Sequence, residues 1–166
     1  MKHNLEIKCR LDNLSGVRKL LKESRSFKYS VEKQNDIYFK VKKGRLKLRI
    51  INNKTGNLIY YFRNEKSSEM KSGYIISATE NFKELFKILS NQFEIFVTVK
   101  KKREIFVKDN IRIHLDNVTE LGKFMEIEII YKNLGSAKVR MKEILNFIKP
   151  EIRSYINKSY SDLLIK

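Results

Sequence analysis

Residues 4–11, NLEIKCRL, alternate along the chain. Leu5, Ile7, Cys9 and Leu11 fall on one side, and Asn4, Glu6, Lys8 and Arg10 on the other. Period-two alternation is the mark of a half-buried strand. It returns in QNDIYFKVK (34–42), RLKLRI (45–50), IRIHLD (111–116) and FMEIEI (124–129). Lys43-Gly44 suits a tight turn, so 34–42 and 45–50 form a hairpin. LIYYFR (58–63), a short piece at 74–76 and the stretch 93–107 add further strands, and 64–73 reads as a polar loop. Helical spacing takes over in three places. Leu14, Val17, Leu20 and Leu21 make a stripe over 12–24, with Asp12 or Asn13 able to cap its start. Phe82, Leu85, Phe86 and Leu89 mark a second helix over 79–90. Val139, Ile144, Leu145 and Ile148 are the inward residues of a third, beginning at Ser136. The tail, RSYINKSYSDLLIK, reads as short helix or coil.

Seven or eight mostly antiparallel strands with a few helices predict an α+β fold. A closed antiparallel β-barrel of about eight strands with flanking helices satisfies the pattern, as a single domain over 1–166.

Composition narrows the function. No apolar run reaches the ~18 residues of a membrane span, and Glu6, Lys8 and Arg10 interrupt any secretory core at the N-terminus. A cytoplasmic protein is expected. The single cysteine, Cys9, has no internal disulfide partner and alternates with core residues. The charge is unusual: 36 Lys and Arg against 19 Asp and Glu, a formal +17. Such an excess attracts polyanions, whether nucleic acid, an anionic membrane surface or a small polyphosphate. The placement of the charges must choose among these.

The polar faces of the strands are almost wholly charged. They carry Glu6, Lys8 and Arg10; Arg45, Lys47 and Arg49; Arg112, His114 and Asp116; Glu126 and Glu128. If the sheet closes, the first and last strands become neighbours and these faces line its interior. Like charges ~6 Å apart repel by roughly 3 kcal/mol at an effective dielectric of ~20. A cavity so lined calls for a polyanion, and its carboxylates call for a hard cation such as Mg²⁺ or Mn²⁺. Carboxylates also repel backbone phosphate, which makes nucleic acid an unlikely partner.

NLEIK resembles the ExExK signature of the CYTH family, the triphosphate tunnel metalloenzymes. QNDIYF, GRLKLR, LIYYFR, KKKREIF, IRIHLD, FMEIEI and KSYSDLL follow in the family's order, and the C-terminal half most resembles class IV adenylyl cyclases. The resemblance implies a barrel enclosing a triphosphate and one or two divalent metals, Mg²⁺ or Mn²⁺. By position, Glu6, Asp116, Glu126 and Glu128 would serve the metal. Lys8, Arg10, Lys47, Arg49, Arg63, Lys101, Arg103, Arg112 and Lys158 would hold phosphate oxygens. Glu6, Lys8 and Arg103 would be the catalytic group. On 93–107 the residues leave two pairs open, because Lys101 and Arg103 share parity with the apolar Val97 and Val99, whereas Lys100 and Lys102 do not. The signature's first Glu is Asn4 here, which removes one negative ligand and bears on a second metal. His114 is read as a support for a neighbouring carboxylate, and as a base only secondarily. Tyr60, Tyr61 and Tyr160 are read first as packing, with contact to a base or ribose as the other role.

The expected function is metal-dependent hydrolysis of inorganic or nucleoside triphosphate. The alternatives are a class IV cyclase, making cyclic AMP and pyrophosphate from ATP, and a non-enzymatic polyanion or nucleic-acid binder. The expected partner is a small triphosphate and not a membrane. The sequence leaves oligomeric state open, a homodimer included.

Overall fold

The computed structural model describes residues 3–61 and 74–165. Arg63 and the polar stretch 64–73 therefore lie outside the described residues. In chain order the elements are β1 (His3–Leu11), α1 (Ser15–Glu23), β2 (Lys28–Phe39), β3 (Arg45–Ile51), β4 (Thr55–Tyr61) and β5 (Tyr74–Thr79). They continue with α2 (Phe82–Gln92), β6 (Ile95–Lys108), β7 (Ile111–Val118), β8 (Gly122–Tyr131), α3 (Leu134–Ile148), β9 (Ile152–Tyr155) and α4 (Tyr160–Leu164). The fold is α+β, as expected. Among the described residues its antiparallel sheet has nine strands, in the order β5-β4-β3-β2-β6-β7-β8-β1-β9.

That order is open among the described residues, and so departs from the expected closed barrel. β1 lies between β8 and β9, so the edge that closure would use is taken by β9. This strand was missed because its four residues, IRSY, carry one half-buried side chain and show no usable alternation. The first and eighth strands are neighbours all the same, by direct antiparallel pairing and without closure.

The chain forms two compact units, with β2 and β6 each contributing to both. The first takes residues up to 31, 103–118 and 122–157. Its core joins Leu11, Leu21, Ile113, Ile127, Met141 and Ile148, all buried. Each such side chain contributes roughly 1.5–3 kcal/mol through burial. On α3 the buried face is Ala137, Met141, Ile144 and Ile148, with Leu145 half-buried beside it. Val139, expected inward, is 59% exposed. It follows Ala137 by two residues, which turns a helical side chain about 200° away. At α1 the Asn13 side chain accepts from the Ser15 backbone N–H at 2.8 Å, while Asp12 pairs with Arg153 at 3.1 Å. Cys9 is fully buried, its thiol directed at the Met125 carbonyl at 3.7 Å. Burial pushes that thiol up to about 11.

The second unit comprises 32–102, 119–121 and the residues from 158 onward. Ile37, Phe39, Leu48 and Leu89 form its core, with Leu85 and Phe86 of α2 packed against them. The β2–β3 connection needs Gly44, which has φ +67° and where a Cβ would meet the Tyr61 carbonyl oxygen at 2.9 Å. Among the described residues no helix is long and apolar enough to cross a membrane.

Candidate functional site

Strand register collects the charges of the first unit. β8 pairs Glu126 with Lys8 on one side and His114 on the other, and Glu128 with Glu6 and Arg112. Directly paired residues project from the same face of a sheet, so these side chains converge. Lys8 Nζ stands 3.3 Å from Glu6 Oε1 and 3.6 Å from Glu126 Oε1. Arg103 donates through Nε to Asp116 Oδ1 at 2.7 Å, and through Nη2 to Asp116 Oδ2 at 2.6 Å and Glu126 Oε2 at 2.8 Å. His114 Nδ1 lies 3.6 Å from Glu126 Oε2 and 4.0 Å from Glu128 Oε1. The ligand atoms of His114, Glu126 and Glu128 all fall within 4.8 Å of one another.

Two neighbouring carboxyls are driven apart in acidity. Burial, reinforced by the negative charge of Glu126, raises Glu6 to about 8. Burial also works against ionising Glu126, but Lys8 and Arg103 outweigh it and hold that group well below the usual range. At neutral pH the metal-free pair therefore keeps one proton, on Glu6, shared by hydrogen bond with Glu126. Burial alone would lower Lys8, yet Glu126 and Glu6 raise it.

Other expected residues divide. Asp116 is wholly buried and gives both oxygens to Arg103, so it orients that guanidinium and stands apart from the three converging ligands. Arg10 stacks over the Phe124 ring, 4.7 Å from its centroid. Arg112 is exposed although paired in register with Glu128, and Asn4 is exposed opposite Ile130.

The second unit carries a different cluster, centred on a carboxylate that sequence reasoning left without a role. Asp36 is 2% exposed. Its Oδ2 accepts from Lys47 Nζ and Lys101 Nζ, each at 3.0 Å, and from Arg49 Nη2 at 2.8 Å; Oδ1 accepts from Arg49 Nε at 2.6 Å. Burial opposes ionisation of Asp36, but Lys47, Lys101 and Arg49 overcome it and hold the group well below its ordinary value. Three cations thus converge on one carboxylate. Accordingly Lys47 sits below the ordinary lysine value, lowered by burial first, with Arg49 adding to it against the pull of Asp36. Burial raises Tyr38 and takes Tyr61 to about 12, so both phenols stay neutral. The alternation of QNDIYF held the signal for Asp36. It puts Asp36 and Tyr38 on one face, in register with Arg49 and Lys47.

On β6, Val99, Lys101 and Arg103 are buried while Lys100 and Lys102 are exposed. The face turns from apolar to charged along one parity. Within the second unit the tail is held by Arg45, whose Nη1 donates to Ser159 Oγ at 2.9 Å and whose Nη2 donates to Asp162 Oδ1 at 2.7 Å. Ser159 and Asp162 form a capping box at the start of α4. The Tyr160 ring is buried, 6.0 Å from Lys101 Nζ. Lys158 is exposed, one residue before that cap.

The family model for the CYTH domain matches residues 2–159. The chain belongs to the CYTH family. CYTH proteins are metal-dependent enzymes that bind triphosphate substrates. A protein of Methanocaldococcus jannaschii named "putative adenylate cyclase" is 30% identical over 96% of this chain and 97% of its own length. The solved PH1012 protein of Pyrococcus horikoshii superposes with a TM-score of 0.82 at 23% identity, over 98% of this chain and 99% of that one. A Hippeastrum CYTH-like structure, named a "putative adenylyl cyclase" with a dominant triphosphatase activity, reaches 0.70 at 13% identity, over 98% and 94%.

Proposed function

We propose that this CYTH protein is a divalent-metal-dependent hydrolase of inorganic or nucleoside triphosphate. The observation that carries the reading is the cluster in which Lys47, Arg49 and Lys101 all reach the buried carboxylate of Asp36. Cations held this close to one another repel, and a multiply charged phosphate is a ligand that relieves them. Lys47, Arg49 and Lys101 would hold phosphate oxygens. So would Lys8 and Arg103, with Arg10, Arg63, Arg112 and Lys158 as further phosphate contacts. Glu126 and Glu128 converge with His114 in a way that fits a hard cation, Glu6 and Asp116 would be further carboxylates for it, and Asp116 also fixes Arg103. Mg²⁺ or Mn²⁺, when bound, supplies polarisation of a phosphoryl oxygen. The side chains do the rest by position. Fixed cations aimed at phosphate stabilise developing charge with little reorganisation, which is the usual basis of phosphoryl transfer. A cytoplasmic setting, where such substrates are available, goes with this reading.

A second reading has its own support. The Methanocaldococcus relative is named for adenylate cyclase activity, in which the ribose 3′-OH attacks the α-phosphorus of ATP and pyrophosphate leaves. Cyclisation requires the ribose to be fixed in line, and about 1 Å of misplacement can cost ~100-fold in rate. Incubation with tripolyphosphate and with ATP, each with Mg²⁺ and with Mn²⁺, separates the two. Hydrolysis gives phosphate from both substrates. Cyclic AMP and pyrophosphate in equal amounts, with little phosphate, would replace the hydrolase by the cyclase.

A further inference from the structure

We infer that His114 is itself a metal ligand. With Glu126 and Glu128 it forms a mixed nitrogen–oxygen donor set that selects a divalent transition metal of the Mn²⁺ kind over Mg²⁺. The inference rests on the metal-dependent reading above and extends it to the donor set and the ion.

β7 places His114 directly opposite Glu126, so the imidazole projects onto the face that carries both glutamates. The residue is 6% exposed, and its Nδ1 is buried without a hydrogen-bond partner among the described residues. An orphaned buried polar atom costs about 1–3 kcal/mol, so its retention calls for a reason. The carboxylate oxygens it faces lie at 3.6 and 4.0 Å, too far for a good hydrogen bond. Those separations suit ligation. Donors about 2.1 Å from an octahedral cation sit about 3.0 Å apart when adjacent and about 4.2 Å apart when opposite. The His114–Glu128 separation is near the second value and the His114–Glu126 separation lies between the two, so small side-chain shifts bring these atoms onto one ion. Arg103 Nη2 also donates to Glu126 Oε2, at 2.8 Å, which leaves a second lone pair on that oxygen.

Donor chemistry then discriminates between ions. Mg²⁺ takes oxygen ligands and gives up water reluctantly, so an imidazole adds little for it. Imidazole nitrogen suits transition dications better than Mg²⁺, whereas the two carboxylates serve Mn²⁺ and Mg²⁺ alike, so the imidazole is the discriminating donor.

The test uses the metal-free full chain. Mn²⁺ is titrated in while the electron paramagnetic resonance of free aquo-Mn²⁺ is followed, and electron spin echo modulation of the bound ion is recorded. Mg²⁺ affinity is measured by calorimetry. The wild type is expected to show ¹⁴N coupling from a directly bound imidazole. His114→Ala is expected to lose that coupling and to bind Mn²⁺ about 10–100-fold more weakly, with its Mg²⁺ affinity changed far less. Bound Mn²⁺ without ¹⁴N coupling in the wild type, or equal loss for both ions in the variant, overturns the inference and leaves the metal-dependent reading standing. If neither ion binds the wild type, the metal-dependent reading itself fails. The wild-type spectrum decides even if the variant does not fold.

Discussion

Asp36 and Lys101, 65 positions apart in sequence, meet at 3.0 Å with both side chains 2% exposed. Lys47 and Arg49 share the same carboxylate, so Asp36 is a counter-charge common to all three cations. Removing one partner of a buried ion pair costs about 3–5 kcal/mol. Asp36→Asn should therefore lower the melting temperature by roughly ten degrees for a chain of this size. It should also be rescued by tripolyphosphate to a larger extent than wild type, because a cation group that has lost the charge of Asp36 gains more from an added anion. Melts of both proteins with and without ligand check this; equal ligand-induced shifts would remove the cluster from phosphate binding.

Wild type too should respond to triphosphate beyond general anion effects. A ligand of the folded state alone, at about 100 times its dissociation constant, stabilises by roughly 2.7 kcal/mol. Tripolyphosphate should raise the melting temperature by several degrees more than sulfate at matched ionic strength. Matching shifts from both salts would mean only screening of the positive surface.

Glu128→Gln and Glu126→Gln should separate metal binding from stability. Both should reduce metal-dependent turnover by two orders of magnitude or more. Glu128 is half-buried, and its amide should leave the melting temperature close to wild type. Glu126 also neutralises Lys8 and Arg103, so its amide should cost about 3–5 kcal/mol as well. Turnover near wild type in Glu128→Gln, across a titration of Mg²⁺ and Mn²⁺, would break the assignment.

The proton on Glu6 makes the metal-free protein sensitive to pH. Between the ordinary carboxyl value of 4.5 and about 8, the folded chain keeps a proton that the unfolded chain has released. Stability should thus fall as pH rises through that window, by up to about 1.4 kcal/mol per unit. Denaturant melts in chelator at pH 5, 6, 7 and 8 measure the slope, and Glu6→Gln should flatten it. A slope unchanged in that variant would show that another group is responsible.

Arg45 holds Ser159 and Asp162, and so sets the path of the tail that carries Lys158. Arg45→Ala should weaken tripolyphosphate binding several-fold with little loss of stability, since the Arg45–Asp162 pair is partly exposed and worth roughly a kcal/mol. Unchanged affinity in calorimetry would separate the tail from ligand binding.

Much of this was legible in the strands. The alternation of RLKLRI, IRIHLD and FMEIEI fixed which residues share a face, and the register then brought Glu126 to Lys8 and His114 as that pattern requires. What stayed hidden depends on partners distant in sequence. Asp36 reads as one polar position among several until Lys101 arrives from another strand. Asp116 shows its tie to Arg103, which donates to both its oxygens, only once two strands meet. On β6 parity could not choose between charged pairs, because one face changes from Val99 to Lys101 and Arg103 without a break in alternation. Val139 shows the converse error: its hydrophobicity fits a buried position, but its angle on the helix does not.

Cys9 has a practical consequence. It is the chain's single cysteine, fully buried, with a thiol far from ionised at neutral pH. A cysteine introduced at exposed Lys158 would then be the one thiol that a maleimide reaches. A fluorophore placed there would report on the tail directly, with no prior removal of native cysteine.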